Sequence, residues 1–356
     1  MSSKVKNSSL SAAKKAKRDE FYTQLAEIEE ELKHYRAQFK DKTVYCNCDD
    51  PRVSNFFHYF SFNFEKLGLK KLITTCYKSR AVDLFSQNDA EQAIYLEYEG
   101  DKDDNKVPDP SEIGIKPLEM DGDFRSPEAI ELLKEADIVV TNPPFSLFRE
   151  YVAQLVEHDK KFLIVGNKNA ITYKSVFPLI QDNKLWLGNM PMSHDMLFNV
   201  PDAAASELVA NGREGSKWRC VDGVVLARSS SVWFTNMDLA KRHDDLVLYK
   251  TYNSDEYPTY DNYDAINVDK VKEIPADYDG VMGVPITFLD KYNPEQFEII
   301  GITDRGNEYG LKIKEYQKGD VLNPGDLNRR GAIKSPDGSY RATYARLLIR
   351  RKDMQL

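Results

Sequence analysis

The stretch that decides the fold is Ile138-Val139-Val140-Thr141-Asn142-Pro143-Pro144-Phe145. Its first four residues are a short apolar and β-branched run, which is typical of a strand buried on both faces of a parallel sheet. The two prolines that follow each fix φ and lack a backbone N–H donor. The sequence therefore predicts a strand over 138–141 that ends in a rigid turn.

Outward from this run, strands and helices alternate along the chain. Helical spacing or capping residues predict helices at 20–39, at 54–67, from 126 and at 147–158, and strand-like runs occur at 43–48, 71–77, 115–120 and 162–165. This alternation predicts an α/β fold with a doubly wound, mostly parallel sheet, in which ligands bind beyond the carboxyl ends of the strands. The regularity fades after about residue 186.

Composition excludes several classes of protein. The chain has 356 residues and is 41% hydrophobic, which is enough for one large core or two smaller ones. It contains no apolar stretch of the ~18 residues that a membrane span requires, and its start lacks the apolar run of a signal peptide. Four cysteines without a C-x-x-C pair indicate reduced thiols. We therefore expect a cytoplasmic protein with no membrane partner.

The net charge of −8 conceals an uneven distribution. Residues 1–18 carry six basic and no acidic side chains, and residues 301–356 carry twelve basic and seven acidic ones, so residues 19–300 are strongly acidic. Binding to nucleic acid requires a local basic surface rather than a basic total. Both ends of the chain are therefore candidates for contact with phosphates.

The turn after the 138–141 strand has side chains suited to binding an aromatic amine. The side-chain oxygen of Asn142 and the carbonyl of Pro143 could each accept a hydrogen from an exocyclic amine, and Phe145 could stack on the ring that bears it. Together with Pro144, these residues suit a planar amino-heterocycle such as adenine. The alternative is an ordinary strand-to-helix turn, because Asn-Pro commonly starts turns.

Two further loops follow predicted strands. In Asp121-Gly122-Asp123-Phe124, an acid could accept from the N6 amine of a nucleoside cofactor while Phe124 packs on the ring; the alternative is a glycine turn with solvated acids. Asp49-Asp50-Pro51 stands where a glycine-rich phosphate loop is usual, and no G-x-G-x-x-G occurs, which disfavours dinucleotides and ATP. S-adenosylmethionine, a cation without phosphates, fits better, although a solvated acidic turn is also possible.

Other candidates have simpler explanations. His58 and His158 lie in predicted helices without a second ligand at metal spacing, so no metal is expected. The tyrosines of 252–263 could stack on bases, but tyrosines in turns more often cover the edge of a core.

The chain resembles the EcoRI family of adenine-specific DNA methyltransferases over nearly its full length. The matching stretches include DEFYTQ at 19–24, VYCNCDDPRVSNFF at 44–57, DGDFRS at 121–126, DIVVTNPPFSLFREY at 137–151 and GVMGVPITFLDKYNPEQFEII at 280–300. The resemblance implies an enzyme that transfers a methyl group from S-adenosylmethionine to N6 of a flipped-out adenine in double-stranded DNA. It also implies the modification enzyme of a type II restriction-modification system, with GAATTC as the first recognition sequence to test.

The resemblance also implies roles for particular residues. The catalytic motif is Asn142, Pro143, Pro144 and Phe145, and the cofactor-binding residues are Phe21, Tyr22, Thr23, Asp49, Asp50, Pro51, Asp123 and Phe124. Which of the two adjacent aspartates contacts the cofactor stays open.

Composition and the resemblance together divide the chain into three parts. We expect a flexible basic tail at 1–18 and a catalytic domain at 19–185. A DNA target-recognition region with a basic C-terminal segment is expected at 186–356, and it could return strands to the catalytic sheet. A monomer without an obligate protein partner is expected.

Two alternatives come from other functional classes. The same turn chemistry could methylate RNA or the amide of a protein glutamine. The chain could also be a non-catalytic DNA-binding module.

Overall fold

The computed structural model describes residues 22–48, 54–75, 93–105, 108, 112–200, 202–304, 311–319, 321 and 323–352. The predicted basic tail at 1–18 lies outside these ranges, as do Phe21, Asp49, Asp50 and Pro51. None of the helices within the described ranges has the length and apolar character needed to cross a membrane.

The chain divides into two compact units. The first unit comprises Met1–Ala170 with Leu187–Met237, and the second comprises Ile171–Trp186 with Asp238–Leu356. The sequence predicted one domain boundary, between residues 185 and 186. In the structure the chain passes from one unit to the other three times, after residues 170, 186 and 237. The assignment of target recognition to 186–356 stays a prediction.

An eight-stranded sheet forms the centre of the first unit. From edge to edge its strands are β5 (Gly114–Pro117), β4 (Ile94–Tyr98), β3 (Lys71–Thr75), β2 (Thr43–Cys46), β6 (Ile138–Thr141), β7 (Lys161–Asn167), β12 (Ser231–Thr235) and β8 (Trp186–Leu187). The four strands from β3 to β7 are parallel to one another. Every residue of β2 and β6 is buried, as expected for strands covered on both faces.

Strand direction changes on either side of this parallel centre. β4 runs antiparallel to both β3 and β5, and β12 runs antiparallel to β7. The prediction of an α/β fold is confirmed in its coarse form, because mixed sheets combine with helices. The four central strands form the parallel part of this sheet. The strand expected at 115–120 is β5. Because two antiparallel pairings separate β5 from β3, the two strands run in the same direction.

Three helices pack on the parallel centre. Helix α2 (Asn55–Phe62) contacts β3, α4 (Pro127–Glu135) contacts β2 and α5 (Phe148–Glu157) contacts β7. The capping residues of α4 act as the sequence predicts. The Ser126 hydroxyl accepts a hydrogen bond from the Ala129 amide at 3.2 Å, and a proline occupies the first turn.

The helix expected at 54–67 is interrupted once. The helical conformation is interrupted at Asn63, between α2 and a short helix α3 (Phe64–Leu67). Helix α3 ends at Gly68, which has φ 64°. The left-handed conformation at this position favours glycine.

The helix expected at 20–39 is shorter than predicted. Residues Tyr22–Thr23 form strand β1, and helix α1 spans only Leu25–Leu32. The cause is a long-range pairing, since Tyr22 lies opposite Asn199 and Thr23 lies opposite Phe198. Pairing with a distant strand therefore overrides the local helical spacing.

Strand β1 belongs to a second sheet of the first unit. This four-stranded antiparallel sheet has the order β1, β9 (Met196–Asn199), β11 (Val224–Ser229) and β10 (Trp218–Val221). Helix α7 (Asp202–Asn211) lies between β9 and β10 along the chain.

The second unit contains smaller sheets. Its four-stranded sheet has the order β13 (Ile266–Asn267), β14 (Met282–Pro285), β18 (Arg346–Arg351) and β15 (Phe297–Ile302), and a separate hairpin pairs β16 (Ala332–Lys334) with β17 (Tyr340–Ala342). Its helices are α6 (Phe177–Gln181) and α8 (Pro324–Arg329). Three of the tyrosines considered for base stacking, Tyr257, Tyr260 and Tyr263, are buried in this unit.

Gly166 in β7 allows two aromatic rings to pack against the sheet. A Cβ atom at this position would lie 2.6 Å from Cζ of Phe148 and 2.9 Å from Cε2 of Phe234. We expect Gly166→Ala to lower the free energy of unfolding by about 1–3 kcal/mol, because overpacking forces buried rings out of place. Urea unfolding followed by circular dichroism measures the change.

Gly114→Ala is the matched control, because a Cβ atom there would meet only Glu97 O at 3.7 Å. Equal stabilities of the two variants would contradict the packing described here.

Candidate active site

The carboxyl ends of β2 and β6 are joined directly. Thr141, the last residue of β6, donates its hydroxyl to the backbone carbonyl of Asn47, which follows β2. The chain leads from β2 to β3 on one side and from β6 to β7 on the other, so the strand order reverses between β2 and β6. Ligands of open α/β sheets bind at such a reversal. The loops that follow β2 and β6 begin side by side at this point.

Asn47 also connects this edge to helix α5. The Tyr151 hydroxyl donates to the side-chain oxygen of Asn47, and the ring of Tyr151 is fully buried. Burial raises the pKa of Tyr151 well above its ordinary value. The hydroxyl therefore stays protonated and remains a donor to Asn47.

The predicted Asp123-Phe124 site packs on the same helix. The rings of Phe124 and Tyr151 meet edge to face with centroids 5.0 Å apart, and Gln154 Nε2 donates to the carbonyl of Phe124 at 3.0 Å. Phe124 is thus a buried ring attached to α5. Through Tyr151 and Asn47, the loop after β5 is linked to the loops after β2 and β6.

The Asp123 carboxylate lies against Arg125. It accepts from Nη2 of Arg125 at 2.7 Å and from Nε at 2.9 Å, and Arg125 also reaches Glu150 at 3.0 Å. The side-chain hydrogen bond from Arg125 is the main cause that holds the pKa of Asp123 below its ordinary value. The carboxylate is therefore ionised and held in a fixed orientation by Arg125.

The predicted catalytic motif leads from β6 towards α5. Asn142 is 8% exposed and Pro143 is buried, whereas Pro144 and Phe145 are partly exposed. The carbonyl of Pro144 accepts from the Leu147 amide at 2.9 Å, which starts a short 3₁₀ turn at Phe145–Leu147 before α5. The motif therefore combines a buried polar residue with a partly exposed aromatic ring at the carboxyl end of β6.

The N-terminal strand reaches the start of helix α2. Asn55, the first residue of α2, donates its side-chain amide to the carbonyl of Thr23 at 2.8 Å. Thr23 is buried and Tyr22 is partly exposed. Tyr22 and Thr23 therefore lie beside the helix that follows the predicted cofactor loop at 49–51, although that loop itself is outside the described residues.

The structure links the loops that carry Asn142 and Phe124 through other residues. Hydrogen bonds and ring contacts join Thr141, which precedes Asn142, to Asn47, and join Phe124 to Tyr151. The other predicted site residues, Phe21, Asp49, Asp50 and Pro51, lie outside the described residues. The roles assigned to individual site residues stay predictions.

Comparisons with known proteins bear on this arrangement. The family model described as "Adenine-specific methyltransferase EcoRI" matches residues 9–352. The chain belongs to the EcoRI family of adenine-specific methyltransferases. This confirms the resemblance found in the sequence and the prediction of a methyltransferase enzyme.

Three curated relatives align with most of this methyltransferase. The chain is 50% identical over 320 residues to the Type II methyltransferase M.EcoRI of Escherichia coli, which covers 88% of this chain and 94% of the relative. It is 38% identical over 352 residues to M.MgeORF184P of Mycoplasma genitalium, covering 96% and 98%, and 39% identical over 326 residues to M.MpnI of Mycoplasma pneumoniae, covering 87% and 92%. No solved structure matches the chain.

Family membership argues against two alternative functions, methylation of a protein glutamine and a non-catalytic DNA-binding module. The family description specifies adenine, so the chain's membership gives no support to a glutamine amide as the methyl acceptor. It also makes the chain an enzyme rather than a non-catalytic module.

Two buried acids of this EcoRI-family methyltransferase were not identified from the sequence. Glu31 is fully buried and accepts from the Met190 amide and the Tyr35 hydroxyl, each at 2.8 Å. One turn earlier, Glu27 contacts His194 Nε2 at 2.8 Å. These contacts hold α1, and with it β1, against the segment that leads into β9. The i,i+4 spacing of the two acids was a detectable signal, but this spacing is common on solvated helix faces.

Asn47 and Tyr151 were also missed as individual site residues. Both lie inside the quoted matching stretches 44–57 and 137–151. A polar residue directly after a buried strand was the only local signal for Asn47.

Removing the Tyr151 hydroxyl tests the connection to Asn47. We expect Tyr151→Phe to lower the free energy of unfolding by about 1–3 kcal/mol, because the buried Asn47 oxygen loses its hydroxyl donor. Thermal and urea unfolding of the purified variant measure the loss.

Tyr249→Phe serves as the control, since Tyr249 is 64% exposed and its hydroxyl is solvated. If both substitutions leave stability unchanged, the hydrogen bond to Asn47 does not stabilise the fold.

Proposed function

We propose that this methyltransferase transfers a methyl group from S-adenosylmethionine to N6 of an adenine flipped out of double-stranded DNA. The observation that carries the proposal is the position of Asn142-Pro143-Pro144-Phe145 at the carboxyl end of β6, where the strand order reverses. The turn offers carbonyl acceptors and a partly exposed ring at the place where α/β sheets bind their ligands.

We infer a role in a type II restriction-modification system. The three relatives named above are each called type II methyltransferases, and each alignment spans more than nine-tenths of the relative. Such an enzyme acts on the DNA of its own cell, so we place it in the cytoplasm. One methyl transfer needs one active site, which favours a monomer.

We further propose a doubly wound sheet of the methyltransferase type, with target recognition in the C-terminal part of the chain. The parallel order β3-β2-β6-β7 supports the first proposal, because it winds outward from its centre in both directions. The concentration of basic residues after residue 300 supports the second.

The residues at this edge fit an adenine-bearing cofactor without phosphates. Phe124 offers a buried ring and Asp123 an ionised acceptor, while the loops carry no glycine-rich cradle. The residues proposed to hold S-adenosylmethionine are Phe21, Tyr22, Thr23, Asp49, Asp50, Pro51, Asp123 and Phe124. When bound, this group supplies an electrophilic methyl group on a sulfonium.

The catalytic motif would act by binding and orienting the target base. An adenine amine is a poor nucleophile because its lone pair is delocalised into the ring. Hydrogen bonds from the amine to the Asn142 side-chain oxygen and the Pro143 carbonyl would localise that lone pair on nitrogen. Phe145 would replace part of the stacking lost on base flipping, which costs a few kcal/mol. Positioning of this kind supplies much of the rate enhancement of many enzymes.

Asn142 provides the direct test of this mechanism. We expect Asn142→Ala to bind S-adenosylmethionine normally but to lose DNA methylation by at least about 100-fold, because one preorganised acceptor is removed. Transfer of labelled methyl groups to a duplex containing GAATTC measures activity, and calorimetry measures cofactor binding.

Glu131→Ala, an exposed change in α4, is the control. Full activity of Asn142→Ala would refute the assignment of the catalytic motif. Transfer of label by the wild-type enzyme to RNA but not to the duplex would refute DNA as the substrate.

Asp123 provides a separate test of the cofactor site. We expect Asp123→Asn to weaken S-adenosylmethionine binding about tenfold, because a charged acceptor is replaced by an amide of weaker hydrogen-bonding strength. The lowered pKa of Asp123 means that the carboxylate loses its charge only when the pH falls below the ordinary range for aspartate. Protonation of Asp123 should therefore not weaken the binding of S-adenosylmethionine to the wild-type enzyme above about pH 5.

Asp121→Asn is the control, because its retained side-chain oxygen can still accept the hydrogen bond from the Asp123 amide. Equal cofactor affinity of the two variants, measured by calorimetry, would exclude Asp123 from the cofactor site.

A further inference from the structure

The basic residues of the C-terminal segment fall into two groups. Six of those described form ion pairs within the second unit: Lys312 with Glu315 at 3.3 Å, Lys314 with Asp261 at 2.6 Å, Arg329 and Arg330 with Asp304 at 2.8 and 3.8 Å, Arg346 with Asp269 at 3.2 Å and Arg350 with Glu298 at 3.0 Å. Lys312 also donates to the backbone carbonyl of Asn328 at 2.8 Å, and Arg351 donates to that of Ala276. These side chains stabilise the fold, and their charges are largely compensated.

The second group comprises four exposed basic residues without an ion pair in the described ranges: Lys318, Lys352 and the two of the hairpin β16–β17. Lys334 and Arg341 are exposed, and neither forms an ion pair with any residue in the described ranges. Lys334 lies opposite Tyr340 in the hairpin, with its ammonium 5.9 Å from the ring centroid. The ring limits the freedom of the lysine. The charge of Lys334 also acts on Asp261, but the ion-pair partner of that carboxylate is Lys314, at 2.6 Å.

The hairpin is well anchored. Ile333 is buried in a cluster with Tyr260, Tyr263 and Leu348. The turn is closed by the Ser335 amide, which donates to the Ser339 carbonyl at 2.8 Å. Asp337, the single acid of residues 332–342, accepts from the hydroxyl and amide of Ser339. The two basic side chains therefore project from an ordered support.

An exposed aromatic ring follows the hairpin. Tyr344 is 87% exposed, which is the highest value among the large apolar and aromatic side chains that the structure describes. Its neighbour Thr343 is buried, and its amide and hydroxyl donate to the Gly331 carbonyl at 2.9 and 3.2 Å. The backbone is thus tied down on one side of Tyr344 and enters β18 on the other. An aromatic ring presented to solvent from an anchored backbone is a feature of binding surfaces.

We propose that the hairpin β16–β17 and the loop at 343–345 form a contact surface for duplex DNA. Lys334 and Arg341 bind backbone phosphates, and Tyr344 packs its ring against a sugar or a base. Exposed cations without an ion-pair partner favour a polyanion, because each phosphate that they neutralise releases condensed counterions. The inference rests on the proposed function, since that function supplies DNA as the partner.

The test is the salt dependence of DNA binding. With a GAATTC duplex, we expect Lys334→Gln and Arg341→Gln each to reduce the slope of log affinity against log salt by about 1, and the double variant by about 2. Fluorescence anisotropy measures the slope, and S-adenosylmethionine affinity should stay unchanged.

Two controls separate this surface from a general loss of charge. Lys70→Gln removes an exposed lysine of the first unit, just before β3, and should leave the slope unchanged. Arg350→Gln removes a charge already paired with Glu298, so it should alter thermal stability rather than the slope.

Tyr344 is tested by comparing two substitutions. We expect Tyr344→Ala to weaken DNA binding about tenfold at every salt concentration, whereas Tyr344→Phe retains most of the affinity because the ring is kept. The salt slope should stay unchanged in both variants.

The outcomes distinguish this inference from the proposed function. Suppose that the wild-type enzyme methylates duplex DNA, but the folded double variant has the same slope of log DNA affinity against log salt as the wild type. This result would overturn the contact surface and leave the proposed function intact. Absence of DNA binding by the wild-type enzyme would overturn both. Equal affinity of Tyr344→Ala and Tyr344→Phe would remove the tyrosine from the surface.

Discussion

The two hydrogen bonds at Asn47 set the geometry on which the candidate active site depends. Asn47 is buried where β2 leaves the sheet, so its carbonyl and its side-chain oxygen both need donors. The Thr141 hydroxyl satisfies the carbonyl, and the Tyr151 hydroxyl satisfies the side chain. One residue thereby fixes the end of β6 and the following helix relative to β2. The catalytic motif lies between Thr141 and that helix, so these two hydrogen bonds fix the position of both of its ends.

A second constraint acts on the N-terminal segment. Glu27 and Glu31 are buried carboxylates, and they bond to His194 and to the Met190 amide, more than 150 residues away in sequence. A buried charge needs such partners. The resulting contacts place helix α1 so that β1 can pair with β9 and reach Asn55. The segment proposed to bind the cofactor is therefore held by acids that have no part in the proposed chemistry.

Local sequence signals predicted much of the central sheet. The apolar run 138–141 is a buried strand, and Ser126-Pro127 does begin a helix, because both depend on residues close in sequence. The antiparallel strand β12 and the strand Tyr22–Thr23 were not predicted, because their pairing partners are distant in sequence. The same reason applies to Asn47, whose importance comes from Thr141 and Tyr151 rather than from its neighbours. The interaction of Arg125 with Asp123 was missed, although the two residues are only two apart.

The pairing of β12 with β7 has a consequence for synthesis of the chain. β7 ends at Asn167, whereas β12 begins at Ser231 and brings Ser231 opposite Asn167. At typical translation speeds, the ribosome needs roughly 3 to 13 seconds to add the intervening residues. During that interval the apolar strand β7 has an unpaired edge, which is a template for association with other chains. The nascent protein therefore passes through a period in which chaperone protection would matter most.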